Sequence, residues 1–523
     1  DAAFPGRLDR PLMSAPIFNI EEASSDGDGL NLSRIVLLFT LTFITLLYTM
    51  AIMIVNVALP DIRGALSATT DQVAWVVTAN IIASAVATPI AGWIGGRFGT
   101  RQIMFIGAVI FTISSILCGT AESLEALVFY RIVQGFSGAP LLPMSQAILM
   151  SRFPKKLLHA GLAIWGMGAV LGPIIAPSVG GYLNELYGWR WVFFLIVPFG
   201  FAAILAIWLV IKDTSKDRSI RFDWLGFLSL SVAIAGTQLI LDRGERAGWF
   251  ESLEILIEAG IVLTALYFFF VHTFTTDRPF LKPVIFQDKN YTVGMIIIFI
   301  FGMLNFVPMV LFPPLLQELR GFPQSVIGML LATRGAGTLT GFLIMAFATK
   351  INPRVPVLLG FSLQAFSGFM IASFSINLTS FDVAWTSYVQ GLGVGLIWVP
   401  LNVMAFSTLK SNYVPDATAI LHLIRNMGSS IFISICITLA LREARVSYAG
   451  LAEVVTPYNK IMDVPFLMGA WSLDSPAGIG AFSKEMARQS LMNGYLSAFY
   501  LFSFLALTAI PLIAVIRMPK DKD

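Results

Sequence analysis

The sequence predicts an all-α polytopic membrane protein, with fourteen transmembrane helices arranged 6+2+6, on three observations. Apolar residues make up 56% of the 523 and charged residues only 12%, with a mean hydropathy of +0.79, so nearly every helical run is apolar all round. Fourteen such runs can be cut at charges and turns, each long enough to cross about 30 Å of hydrocarbon. A Gln-Gly pair recurs at the same depth in two of them, Gln134-Gly135 and Gln390-Gly391, 256 residues apart, which points to two related halves facing a shared cavity. Chance similarity between short Gly-rich membrane segments is the competing reading.

The elements follow in order. Residues 1–33 are polar and rich in Gly, Ser and Asp, and read as a cytoplasmic N-terminal tail without a cleavable signal. Runs at 34–57, 72–94, 103–120, 125–149, 157–183 and 190–211 make a first six-helix bundle over 34–212. Two further runs, 224–241 and 253–274, form an insert over 223–275, of which the first is short. The second bundle, 290–523, takes runs at 291–313, 324–348, 354–375, 383–408, 416–440 and 493–516. Between its last two runs lies the only sizeable outward loop, 442–492, far longer than a helix connection needs, with a helix expected over Ser483 to Leu491.

Charge placement orients this cut. With the N-terminus inside, the short inward loops hold fifteen Lys and Arg residues: Arg97, Arg101, Arg152, Lys155, Lys156, Lys212, Lys216, Arg218, Arg221, Arg278, Lys282, Lys289, Lys350, Arg354 and Lys410. The short outward loops hold five: Arg63, Arg190, Arg243, Arg246 and Arg320. This asymmetry places both termini in the cytoplasm, and an odd number of spans would scramble it. The net charge of +3 is small and scattered, which argues against nucleic acid as a partner. Cys118 and Cys436 lie within apolar runs, form neither a metal spacing nor a disulfide framework, and read as packing residues.

The most informative run is the fifth, which contains Gly172-Pro173-Ile174-Ile175-Ala176-Pro177-Ser178-Val179-Gly180-Gly181. Two prolines interrupt the helix hydrogen-bond ladder and three glycines thin its surface, as suits a helix that bends, packs backbone on backbone or rocks against a neighbour. Between runs two and three, Gly92-Trp93-Ile94-Gly95-Gly96-Arg97-Phe98-Gly99-Thr100-Arg101 forms a glycine- and arginine-rich turn, faintly echoed at Gly341 to Arg354.

On these residues the chain resembles the major facilitator superfamily, and within it the fourteen-span drug:proton antiporters. The Gly92 to Arg101 turn matches the first cytoplasmic signature, although Gly96 stands where many members have aspartate. Arg131, Gln134, Gly135 and Gly138 match the signature of span four. Gly172, Pro173, Pro177, Gly180 and Gly181 match the antiporter signature of span five, with Ala176 in place of a usual glycine. Asn56-Val57-Ala58-Leu59-Pro60 matches the end of the first-span signature, and Trp189-Arg190-Trp191-Val192-Phe193-Phe194 resembles the start of span six. The resemblance implies an inner-membrane exporter of amphipathic small molecules in exchange for protons, with antibiotic resistance as its consequence and no cofactor. It also implies work beside a periplasmic adaptor and an outer-membrane channel, for which loop 442–492 would be the docking element; a loop without a partner is the other reading.

One departure from the family bears on coupling. The usual acidic residue and threonine of span one are replaced by Ala51 and Met53. A buried carboxylate there serves as proton carrier because burial raises its pKa toward working pH. No Asp or Glu lies at the middle of any span of either bundle, and Glu258 of the insert reads as snorkelling or paired. An exporter of a lipid or native metabolite, or a transporter not proton-coupled at that site, is therefore the alternative.

Basic and polar groups within the runs are the remaining candidates. Arg131, linked to proton transfer in related transporters, never releases its own proton, so its role is to set a neighbour's pKa or orient water. Arg334 invites the same argument, with snorkelling at a helix end as its competitor. His422 and Arg425 share one face of span thirteen; histidine titrates near neutrality and is the best remaining carrier, against a hydrogen-bonded packing role. Asn80, Gln134, Asn305, Gln364, Gln390 and Asn402 are cavity candidates, with Phe306, Met309 and Trp398 supplying broad apolar contact. Only three histidines occur, His159, His272 and His422, and neither a zinc-protease, a nucleophile-elbow nor a phosphate-loop motif is present, which argues against an enzyme or a metal site.

Overall fold

The computed structural model describes residues 31–212, 221–348, 351–455, 459, 471 and 475–516. Most of the N-terminal tail and the basic loop residues Lys216, Arg218 and Lys350, expected on the inner side, lie outside them. Among the described residues the chain is helical throughout, and each of the fourteen expected runs contains helix. Among the described residues, twelve helices are individually long and apolar enough to cross a membrane.

The first six runs become α1 (Leu32–Ala65), α2 (Thr70–Ala87), α3 (Ala91–Phe98), α4 (Thr100–Gly119), α5 (Leu124–Gly138), α6 (Leu141–Arg152), α7 (Lys155–Tyr187), α8 (Arg190–Phe194) and α9 (Ile196–Val210). Local chemistry sets the ends. Thr69 and Gln72 form a reciprocal capping box at the start of α2, and the Ser123 side chain caps α5. Gly99, at φ 93°, turns the chain between α3 and α4, a conformation that glycine adopts without a Cβ clash. The second run is bent by 55° between α2 and α3, and the fourth is divided at Ala139-Pro140 into α5 and α6, each too short to cross alone.

The insert is a pair, α10 (Trp224–Ala247) and α11 (Leu253–Thr275), packed against each other; α10 also touches α2 and a later helix, α16. Asp223 ties its base together, capping α10 through Gly226 and meeting His272 Nε2 at 2.7 Å. Glu258 is paired, its Oε1 lying 3.3 Å from Arg243 Nη1, in keeping with the second of its two readings.

The last six runs are α12 (Lys289–Pro314), α13 (Gln324–Phe347), α14 (Arg354–Ala372), α15 (Ser380–Phe406), α16 (Val414–Val454) and α17 (Pro476–Val515). Their packing repeats that of the first six. The pairs α1 with α7, α2 with α5, α4 with α5 and α4 with α9 recur as α12 with α16, α13 with α15, α14 with α15 and α14 with α17. The repeat read from two Gln-Gly pairs therefore extends to the whole arrangement.

The segment expected as a long loop is largely helical. α16 runs 41 residues and α17 runs 40, about 60 Å each, or twice the hydrocarbon thickness. The helix expected over Ser483 to Leu491 exists as the first part of α17, and the final run begins at Pro476 rather than at 493. The extensions bond to each other through Tyr448 and Ser483 at 2.8 Å and through Asn493 and Ser447 at 3.0 Å. Part of the segment, 456–474, falls mostly outside the described residues.

Candidate substrate and coupling site

In the first half, α5 places Arg131 and Gln134 three residues apart on one face. Arg131 is 1% exposed, its Nε donating to the Val76 carbonyl at 3.0 Å and its Nη1 to Gln134 Oε1 at 2.5 Å. Gln134 Nε2 passes the chain on to Ser115 Oγ at 2.7 Å, and Asn80 Nδ2 donates to the Arg131 carbonyl at 2.8 Å. The bonds this buried guanidinium makes go to neutral oxygens, not to a carboxylate, and its Nη2 is buried without a partner. Gly135 is required beside it, because an added Cβ would run into the Asn80 backbone oxygen.

The second half solves the same problem from another helix. Arg334 on α13, 7% exposed, donates through Nε to Gln390 Oε1 at 3.2 Å and through Nη2 to the Asn305 carbonyl and side chain. Gln364 Nε2 donates to the Gln390 carbonyl at 2.9 Å. Both Gln-Gly glutamines thus accept from an arginine. Arg334 does not snorkel.

Between the halves lies a link that sequence reasoning named only in part. Gln146 Nε2 donates to Asn402 Oδ1 at 2.8 Å across the same 256-residue offset that relates the Gln-Gly pairs, so equivalent positions of the two halves touch. Gln146 Oε1 meets His422 Nε2 at 2.6 Å, and Asn402 Nδ2 donates to the Trp398 carbonyl at 2.7 Å. All three polar side chains are fully buried. With the amide so oriented, His422 carries its proton on Nε2, and its Nδ1 has no partner. The rings of Trp165 and Trp398 flank the imidazole at 6.2 and 6.1 Å, and Trp165 Nε1 donates to Ser145, which in turn bonds Thr45 at 3.0 Å. Gln146 was absent from the sequence candidates; the signal that could have found it is its 256-residue offset from Asn402.

Arg425 lies one turn from His422, over the Trp398 ring at 5.3 Å, with Nη2 donating to Asn426 Oδ1 at 3.0 Å. Asn305, Phe306 and Met309 are half-buried on α12. Asn80, Gln134, Gln364, Gln390 and Asn402, the polar cavity candidates, are buried and hydrogen-bonded. The helices lie close here: one amide atom of each bonds a neighbouring helix, while Asn80 Oδ1, Gln364 Oε1 and Gln390 Nε2 are buried without a partner.

The antiporter signature occupies α7, which continues through Pro173 and Pro177 as one 33-residue helix. Its glycines serve close approach. A Cβ on Gly172 would meet Thr49 and the backbone of α1, one on Gly180 would meet Ile54, and Ile174 fills the space left by Gly335 of α13. α7 is therefore clasped between a helix of its own half and one of the other. In α3 and at the turn into α4, Gly92 lies directly against Asp416 of α16, while Arg101 donates to the Trp208 carbonyl at 2.6 Å and stacks on its ring at 4.6 Å. Arg97 sits over Trp93 at 5.6 Å. Asp416 also pairs with Lys282 at 2.9 Å; burial by itself lowers this ammonium's pKa, but the charge and hydrogen bond of Asp416 outweigh it and raise it above the usual lysine range.

At the usual carboxylate position Ala51 is buried at 1% exposure among apolar neighbours. No cluster able to hold a metal occurs among the described residues, and Cys118 and Cys436 are free and buried.

Two bundles with a repeated packing scheme, a signature helix clasped between them and a buried polar link across their interface define a membrane transporter, and the chain belongs to the Major Facilitator Superfamily, whose family model matches residues 41–433. It is similar to the multidrug export protein EmrB of Escherichia coli strain K12, 32% identical over 429 residues, or 81% of this chain and 84% of that protein. It is also similar to the fatty acid resistance protein FarB of Neisseria gonorrhoeae, 30% identical over 472 residues, covering 89% of this chain and 92% of the relative. Among solved structures, the human organic anion transporter MFSD10 matches 92% of this chain and 99% of its own at 13% identity with a TM-score of 0.59, and the proton:xylose symporter XylE matches 91% and 94% at 12% identity with a TM-score of 0.60. These two support the fold.

Proposed function

We propose that this protein is a secondary active exporter of hydrophobic or amphipathic drugs, exchanging them for protons by alternating access between two six-helix halves, 34–212 and 290–523, with 223–275 as a two-helix insert. The observation that carries this reading is the buried link between Gln146, Asn402 and His422, which joins equivalent positions of the two halves and has to part if one half rocks against the other. The names of the multidrug export relatives support the substrate class. In this reading α5 and α6 together make one crossing and α2 with α3 another, giving fourteen spans in the inner membrane with both termini cytoplasmic, as the positive-inside asymmetry favours. The extensions of α16 and α17 carry exposed Val446, Val454 and Ile479 and form the face offered to a periplasmic adaptor protein, itself joined to an outer-membrane channel.

His422 is the proposed proton carrier, its unpartnered Nδ1 receiving the proton while Nε2 holds Gln146. A second reading is favoured by Ala51 and Met53: export of a lipid or native metabolite without proton coupling at the first span, a reading to which the name of the fatty acid resistance relative lends weight.

Substrate-driven proton release from proteoliposomes tests the first against the second. Wild type is expected to release protons on substrate addition, with transport varying across pH 6 to 8 and with His422→Gln flattening that profile. Transport without proton movement would favour the second reading, and an unchanged profile in His422→Gln would remove the histidine as carrier.

A further inference from the structure

We propose that the insert helix α10 is a moving part of the transporter, a seal that stays with the second half and parts from α2 when the halves rock; this rests on the alternation proposed above. The internal repeat brings it to light. Since α7 corresponds to α16 and α2 to α13, the packing of α7 on α13 has its counterpart in a packing of α16 on α2. The first of these seams is closed directly, Ile174 of α7 filling the space beside Gly335 of α13 and Phe342 of α13 lying against Gly166 of α7. The second is built differently: α16 meets the second run directly through α3, beyond the bend, whereas α2 and α16 each pack on α10. A helix from outside the repeat occupies a seam that the opposite side of the molecule closes by itself.

Each flank offers α10 one stripe of residues. On α2 these are Asp71, Thr78 and Ala85, seven apart, and on α16 Leu423, Ser434 and Arg445, eleven apart; either spacing returns to the same face of a helix. Arg246 pairs with Asp71 at 2.7 Å and the Thr78 hydroxyl donates to Asp242 at 2.5 Å. On the other flank the Ser434 hydroxyl donates to the Leu241 carbonyl at 2.9 Å and Arg445 pairs with Glu245 at 2.7 Å. Ala85, Leu230, Ile234, Phe269 and Leu423 form an apolar cluster along the seam, separate from the main core.

The two flanks are unequal. α2 gives the cluster only Ala85, and both partners of its ion pair are solvent-exposed, Arg246 at 51% and Asp71 at 81%, where such a pair adds little stability. α16 gives Leu423 with Met427 packed beside it, and its Arg445 pairs with a Glu245 that is 19% exposed and also accepts from Trp249 Nε1 at 3.0 Å. At the opposite end of α10, the first half sets the ring of Trp93 on Phe222 at 4.3 Å. There the segment leading from α11 to α12 is bonded to α16 through Lys282 and Asp416, and to the base of α10 through Asp223, which accepts from the Phe280 amide at 2.9 Å. α10 is thus held to α16 from one end to the other, and α2 is the flank that lets go.

Spin labels read this directly. In a background with Cys118 and Cys436 replaced by serine, three pairs are labelled at exposed positions: Glu122→Cys with Val446→Cys across the halves, Leu253→Cys with Val446→Cys between insert and second half, and Leu253→Cys with Glu122→Cys between insert and first half. Distances are measured in nanodiscs at pH 6 and pH 8, with and without rhodamine 6G as an amphipathic probe. Two populations are expected for the first and third pairs and one unchanged distance for the second. An insert that keeps its distance to the first half, or shifts against both halves, overturns the inference and leaves the alternation standing. A single distance for all three pairs overturns both. Export gives a second measurement. Bridging Asp71→Cys to Arg246→Cys with a short bifunctional thiol reagent is expected to abolish rhodamine 6G export, and bridging Glu245→Cys to Arg445→Cys with the same reagent to leave it unchanged. Loss of export with both bridges, or with neither, overturns the inference.

Discussion

Arg131 keeps its charge at every physiological pH, so whatever it does for transport it does by position: it holds Gln134 and the Val76 carbonyl in place and leaves one donor unspent. Replacing it with alanine removes charge-assisted hydrogen bonds worth about 1.5–3 kcal/mol each, and Arg131→Ala is expected to cut efflux by tenfold or more while the protein still inserts, checked by efflux alongside membrane-fraction yield. Near-normal efflux would take Arg131 out of the site. The glutamines it and Arg334 engage were legible in the sequence because each sits in a Gln-Gly pair and the pairs repeat. Gln146 was not, since one glutamine inside an apolar run looks like any satisfied polar residue until the partner half is placed against it.

At the scale of the element, α7 shows why a motif is read more easily than its use. Two prolines suggested a yielding helix, yet neighbouring helices hold it continuous, as packing against a partner does for proline-containing membrane helices. The glycines matter more than the prolines, because α1 presses its backbone against them. Gly172→Val is expected to destabilise the folded protein by about 1–3 kcal/mol through overpacking against Thr49 and Met50, read as a lower melting temperature in detergent, whereas Gly181, with only Val57 at ordinary contact distance, is expected to tolerate alanine. α16 and α17 were misjudged in length for a plain reason. Beyond the bilayer edge a helix loses the apolar run that announces it, and residues 442–454 carry Arg442, Glu443 and Arg445 in a stretch read as loop.

At the scale of the molecule, the two halves repeat their internal packing and meet where Gln146 faces Asn402, so a restraint placed there acts on their relative motion and on little else. In a background with Cys118 and Cys436 replaced by serine, Gln146→Cys with Asn402→Cys joined by a short bifunctional thiol reagent is expected to stop transport, and a reagent with a reducible spacer to restore it on reduction. Transport by the fully cross-linked protein would exclude separation of the halves at this point. The same rigidity has a consequence at the far end of the molecule. α16 begins beside Gly92, passes His422 and Arg425, and ends at Val454 without a break, so it resembles the needle of a gauge whose pivot is the polar site. A small tilt at that pivot would be magnified along the unbroken helix into a larger sweep at Val454.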